Sequence, residues 1–151
     1  MKFDIHLLSA NDIPLMEALL TTFGQVFNEP QTYMENRPSQ EYLRRLLGSD
    51  MFIALVAVSE GDVVGGLAAY ELKKFEQERS EIYIYDLAVA AGHRRKGIAT
   101  ALIERLREIA RERGVSTIFV QADTTAEDKP AIALYSKLGS REEVLHFDIS
   151  V

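Results

Sequence analysis

Residues 82–101 read IYIYDLAVAAGHRRKGIATA. A run of β-branched and aromatic residues ends in a turn rich in Gly and Arg, and that turn opens directly into a helix-forming stretch. This junction constrains the chain more than any other segment. The first N–H groups of a helix have no intrahelical acceptor, and the macrodipole adds partial positive charge to them. Gly92 and Gly97 allow a close approach to the backbone, and Arg94, Arg95 and Lys96 add formal charge. Together these make an anion site suited to phosphate. The other reading is a solvated basic turn.

Two phosphate loops are excluded. The P-loop needs Lys and then Ser or Thr after its second Gly, and here Gly97 is followed by Ile98 and Ala99. The dinucleotide fingerprint needs Gly-x-Gly-x-x-Gly, which is missing.

Composition narrows the field further. The 151 residues suit one domain, 1–151, with no internal repeat or linker. Cysteine is absent, so disulfides, thiolate-bound zinc and a Cys nucleophile are excluded. His6, His93 and His146 lack metal-ligand spacing, so no metal is expected. With 17 Lys and Arg against 23 Asp and Glu, the net charge of −6 argues against a nucleic-acid partner and is compatible with a cationic one. The longest apolar run, residues 51–58, is far short of the roughly 20 residues of a membrane span. Asp4 and His6 interrupt any signal-peptide core, and a cytoplasmic location is expected.

The patterning predicts strands over 3–7, 51–58, 63–72, 82–89, 115–121 and 144–149. It predicts helices after Asn11 or Asp12, after Ser39, over 98–113 (closed by Gly114), and over 130–138 (stopped by Gly139). Three consecutive strands followed by βα units suggest an α/β (α+β) domain, a mixed sheet with helices on its faces.

Arg94-x-x-Gly97-x-Ala99, between a strand and an amphipathic helix, resembles the acyl-CoA pyrophosphate loop of the GNAT superfamily of N-acetyltransferases. The stretch PAIALYSKLG at 130–139 is similar to that superfamily's later helix, which carries a Tyr near the thioester. More narrowly, residues 74–77, 79–89, 93–95, 97–103, 120–123 and 141–148 resemble the type I aminoglycoside 3-N-acetyltransferases. Residues 1–50 match mainly in arrangement. The stretch 124–129 departs from relatives, in which this connection is shorter or richer in Asp.

The resemblance implies a GNAT fold with a mostly antiparallel sheet and a splayed strand pair that binds acetyl-CoA. It implies acetyl transfer to an amine of an aminoglycoside (gentamicin-like), antibiotic resistance, and a homodimer. Leu87, Ala88 and Val89 take the positions that pair with the pantetheine amides. Arg94, Arg95, Lys96, Gly97, Ile98, Ala99 and Thr100 take those of the diphosphate loop. A backbone N–H of Leu87 or Ala88 is expected to support the oxyanion.

With no Cys and no evident Ser–His pair, direct attack by the amine on the thioester is the simpler route. A base must then take the ammonium proton. Asp86, inside an apolar strand, is the candidate, since burial raises a carboxyl pKa and a cationic amine would be its partner. The competing reading is a structural Asp held by a basic neighbour or backbone N–H groups. Tyr135 is the candidate acid for the departing thiolate, against a role as an amphipathic core residue. Among the carboxylates, Asp123, Glu81, Glu142, Glu143 and Asp148 are candidates for the cationic substrate, Asp123 foremost, against roles as solvated surface charges. Two further functions stay open: acetylation of another amine (polyamine, metabolite or protein), and a non-catalytic acyl-CoA-binding module.

Overall fold

The computed structural model describes residues 2–151. The chain divides into two compact units, one ending at Gln121 and the other spanning Ala122–Val151.

In the first unit the order is β1 (Asp4–Leu7), α1 (Ile13–Val26), α2 (Gln40–Leu47), β2 (Phe52–Ser59), β3 (Asp62–Lys73), β4 (Ser80–Val89), α3 (Ile98–Arg113) and β5 (Thr117–Val120). The five strands lie side by side in that order; β1 to β4 pair antiparallel and β5 is parallel to β4. This is the mixed, mostly antiparallel sheet expected from the sequence.

Most local signals act as read, but Asp12, the N-cap of α1, makes no side-chain bond to the first turn and accepts instead from the Ser9 N–H at 2.7 Å. The Ser39 hydroxyl accepts from the Tyr42 N–H at 3.1 Å and caps α2. Glu60 and Gly61 both have positive φ, the backbone that joins twisted strands in a two-residue hairpin. Gly114, at φ 70°, closes α3.

Both faces of the sheet are covered. Phe52, Ala54, Val56 and Ala68 join Met16, Leu19 and Phe23 of α1 and Leu43 and Leu47 of α2 in one core cluster. Side chains alternate across a strand, so Ile53, Leu55, Leu67 and Ala69 point to the other face, where α3 buries Ile98, Leu102, Leu106 and Ile109. Adjacent glycines on β3 admit both helices. A Cβ on Gly66 would collide with Leu19 of α1 and lie 2.6 Å from the Leu55 carbonyl. A Cβ on Gly65 would meet the Ala88 carbonyl at 2.9 Å and Ile98 of α3 at 3.3 Å. Gly66→Ala is therefore expected to destabilise by about 2 kcal/mol, a drop of about 5 °C in Tm by calorimetry.

One irregularity decides where the chemistry lies. Ala68 pairs with Asp86 but Ala69 pairs with Ile84, so Tyr85 is an extra residue on β4. In a regular strand Ile84 and Asp86 would share a face. The bulge turns Asp86 away from the α3 side and onto the face of Ala68, toward α1. The β4–β5 pairing ends at Ile84 and Val120, so β4 runs on through Tyr85–Val89 with no paired strand on that edge among the described residues. This is the splayed pair.

The second unit holds a short 3₁₀ turn, Ala126–Asp128, and α4, Lys129–Leu138. The strand expected over 144–149 is not formed: residues 140–151 carry no regular structure. The alternation of Leu145, Phe147 and Ile149 with His146 and Asp148 suits a strand, but a strand exists only when paired. Val144, Leu145, Phe147 and Ile149 are all exposed.

Candidate active site

Asp86 sits at the bulge of β4, half-buried. Its Oδ2 accepts a hydrogen bond from the Tyr33 hydroxyl at 2.8 Å. Burial raises its pKa above the ordinary carboxylate value, the Tyr33 hydrogen bond opposes that rise, and the nearby Glu29 charge adds to it. Among the described residues Asp86 has no cationic partner. The structural alternative of an Asp neutralised by a basic neighbour therefore has no counterpart here.

The sequence reading missed Tyr33. It stands on a π-helical turn, Gln31–Glu35, ahead of the Ser39 cap, where the patterning predicts no element. Burial first, then the hydrogen bond to Asp86, keeps its phenol protonated well beyond the ordinary range. The signal that was available is aromatic: Phe23 and Phe27 are one helical turn apart at the end of α1, and the Tyr33 ring packs on both, at centroid distances of 5.8 and 5.7 Å. Beside Asp86 the tyrosines continue. Tyr85 contacts Tyr70 and Tyr83 edge-on, and Tyr83 stacks on Phe119 at 4.8 Å. Tyr85 is 57% exposed.

Four residues beyond β4 the chain enters the basic turn. The Arg94 Nε donates to the Val89 carbonyl at 3.3 Å, folding the turn back on the end of β4. Arg95 and Gly97 have positive φ, 62° and 80°. Gly97 is the N-cap of α3 and offers no side-chain acceptor, so the N–H groups of Ile98, Ala99 and Thr100 remain available to an anion. Arg94, Arg95, Lys96 and Thr100 are exposed, whereas Ile98 is buried as the anchor of the first turn. Leu87, Ala88 and Val89 form the open edge of β4.

The remaining candidates lie apart from this group or in the second unit. Glu81 is five residues up β4 from Asp86 and pairs with Lys74 at 3.1 Å, a lysine that Glu76 shares at 3.7 Å. Tyr135, on α4, has its pKa pushed up to about 12, by burial first and then by the Asp128 charge. Asp123 accepts from the Thr124 N–H at 2.7 Å and takes part in a local turn with Asp128. Glu143 pairs with Arg141 at 2.8 Å and Asp148 with His146 at 2.9 Å, while Glu142 is exposed. No metal-binding cluster occurs among the described residues.

The sequence profile of the Acetyltransferase (GNAT) family matches residues 15–140. The chain belongs to the GNAT family. Acetyl-CoA-dependent N-acetyl transfer is the reaction of that family. The GNAT chain is 70% identical to an aminoglycoside acetyltransferase, HMB0005, from an uncultured soil metagenomic sample; the match covers 100% of this chain and 99% of that one, with a TM-score of 0.98. It is 34% identical to the aminoglycoside acetyltransferase meta-AAC0020, also from an uncultured soil metagenomic sample and solved in complex with sisomicin, over 99% and 96% of the two chains, with a TM-score of 0.88. N-acetyltransferase 8F1 of Mus musculus is 29% identical over 126 residues, 76% of this chain and 56% of that protein. The chain thus spans about half the length of the curated relatives it matches.

The residues present fit an acyl-CoA. Beyond Ile84 the edge of β4 is free of β5 and leaves backbone groups there for amides, and the uncapped start of α3, with Gly97 and two exposed arginines, offers donors to a diphosphate. Gly97 has open space around its missing Cβ, so a substitution there acts through the backbone. A β-branched side chain at φ 80° is strained. Gly97→Val is expected to weaken acetyl-CoA binding about tenfold, roughly 1.4 kcal/mol, with a smaller change in Tm. Calorimetric titration checks this.

Proposed function

We propose that this chain transfers the acetyl group of acetyl-CoA to an amine of an aminoglycoside, at the 3-N position, and so confers resistance to gentamicin-like antibiotics. The observation that carries the acceptor side is Asp86: a half-buried carboxyl at the bulge, beside the open edge of β4, with no cationic partner among the described residues. A polycationic sugar supplies that cation. The 70% identity to an aminoglycoside acetyltransferase supports the same substrate class.

Acetyl-CoA supplies an activated acetyl thioester. In this reading the N–H groups of Ile98, Ala99 and Thr100, with Arg94, Arg95 and Lys96, hold its diphosphate, and Leu87, Ala88 and Val89 align its arm along β4. Asp86 takes the proton of the acceptor ammonium, and its raised pKa makes it a better base than a surface carboxylate. Tyr135, kept protonated by burial and by Asp128, gives a proton to the leaving sulfur. Asp123, Glu142 and Asp148 add attraction for a cationic ligand, and Glu81, which shares Lys74 with Glu76, adds to the same acidic field.

The whole of 1–151 acts as one N-acetyltransferase domain in the cytoplasm, where acetyl-CoA is available. The exposed strand-forming residues Val144, Leu145, Phe147 and Ile149 favour a homodimer. A thiol-release assay with gentamicin, spermidine and a lysine peptide tests the acceptor. Release with gentamicin alone, and an NMR spectrum of the product acetylated at the 3-amine, is the expected result. Turnover of spermidine or the peptide in its place would overturn it.

A further inference from the structure

We infer that Tyr33 is the positioning residue of this site: its hydroxyl holds Oδ2 of Asp86 and leaves Oδ1 as the oxygen that receives the amine's proton. The inference rests on the proposed role of Asp86 and adds a residue to it.

The hydrogen bond, 2.8 Å long, joins groups 53 residues apart in sequence. A donor to one oxygen fixes the carboxylate plane, and no other protein group donates to Asp86 among the described residues. Tyr33 is itself clamped. Its ring closes a three-ring cluster with Phe23 and Phe27, whose own centroids are 5.6 Å apart. Its carbonyl accepts from the Arg37 guanidinium at 3.3–3.4 Å, and that guanidinium also donates to Thr21 of α1 at 2.9 Å. Gly24, inside α1, lets the turn sit this close: a Cβ there would lie 2.8 Å from Met34 and 3.3 Å from the Tyr33 Cβ. Glycine in a helix interior costs stability. Its presence where the π-turn docks, and the π-turn itself, point to a segment shaped to bring one hydroxyl to one carboxylate.

The groups that act on Asp86 or are acted on by it are Glu29 and Tyr33 from the segment after α1, Tyr70 on β3, and Tyr83 on β4, with Tyr85 adjacent. Glu29 favours the protonated form of Asp86, and Tyr33 opposes it. Removing the hydroxyl therefore has a defined sign: the Asp86 pKa goes up.

The test is Tyr33→Phe, which keeps the ring in the aromatic cluster. The Asp86 carboxyl is titrated by carbon-13 NMR in both proteins, and kcat/KM for gentamicin is followed against pH. The expected result is a rise of about one unit in the Asp86 titration and an equal shift of the acid limb. A roughly tenfold fall in kcat and an unchanged KM for acetyl-CoA should accompany it. Superimposable titrations of the two proteins would overturn the inference. If no amine is acetylated, the proposed function fails, yet the NMR titration still decides the Tyr33–Asp86 link. Should Tyr33→Phe not fold, Gly24→Ala, which displaces the π-turn from α1, is expected to move the Asp86 titration in the same direction, and an unmoved titration there counts against the inference.

Discussion

Asp86→Asn is expected to lower kcat by about 10³-fold while the KM for acetyl-CoA changes by no more than about twofold. The amide is isosteric, so the bulge and the hydrogen bond from Tyr33 survive and only the basic oxygen is lost. A stability measurement separates this from damage to the fold. The folded-state pKa of Asp86 is raised, chiefly by burial. Between the unfolded and the raised folded value the native state binds the extra proton, so stability falls as pH rises through that window, and at pH 7 the ionised Asp86 is a net cost. Asp86→Asn should therefore leave Tm at pH 7 unchanged or higher. A fall in both kcat and Tm would assign Asp86 to the fold; unchanged turnover would remove it from the mechanism.

Tyr135→Phe is expected to reduce kcat by about 10²-fold, with acetyl-CoA affinity nearly kept. The phenol is protonated throughout the working range, since its pKa is pushed up to about 12. In the proposed mechanism its contribution is a proton, or a hydrogen bond, to sulfur as the thiolate leaves. The leaving group gives a second readout. An acetyl thioester of a more acidic thiol needs no such help, so the variant's defect should shrink with it. Equal defects with both thioesters would argue that Tyr135 only packs.

Much of this site could be read from local chemistry. Ile82, Ile84 and Val89 mark β4, Gly97 and the amphipathic run after it mark the start of α3, and Gly114 marks its end. Each signal is carried by neighbours in sequence. The features that escaped depend on partners far along the chain. The bulge at Tyr85 exists only in the pairing of β3 with β4, where two alanines meet three residues. Tyr33 reaches Asp86 across 53 positions, from a stretch without periodicity. The contact of Glu81 with Lys74 likewise forms only when the connection between β3 and β4 folds back. The last expected strand failed for a related reason: Leu145, Phe147 and Ile149 have strand chemistry, but they pair with no strand among the described residues.

The account turns on the junction between β4 and α3 holding the diphosphate of coenzyme A. Isothermal titration of the folded protein with coenzyme A and with pantetheine, which lacks the diphosphate, tests this most directly. The account predicts that coenzyme A binds at least about 100-fold more tightly, a difference of roughly 2.7 kcal/mol, and that Gly97→Val narrows the gap. Equal heats and affinities for the two ligands, or no heat with coenzyme A, would contradict it.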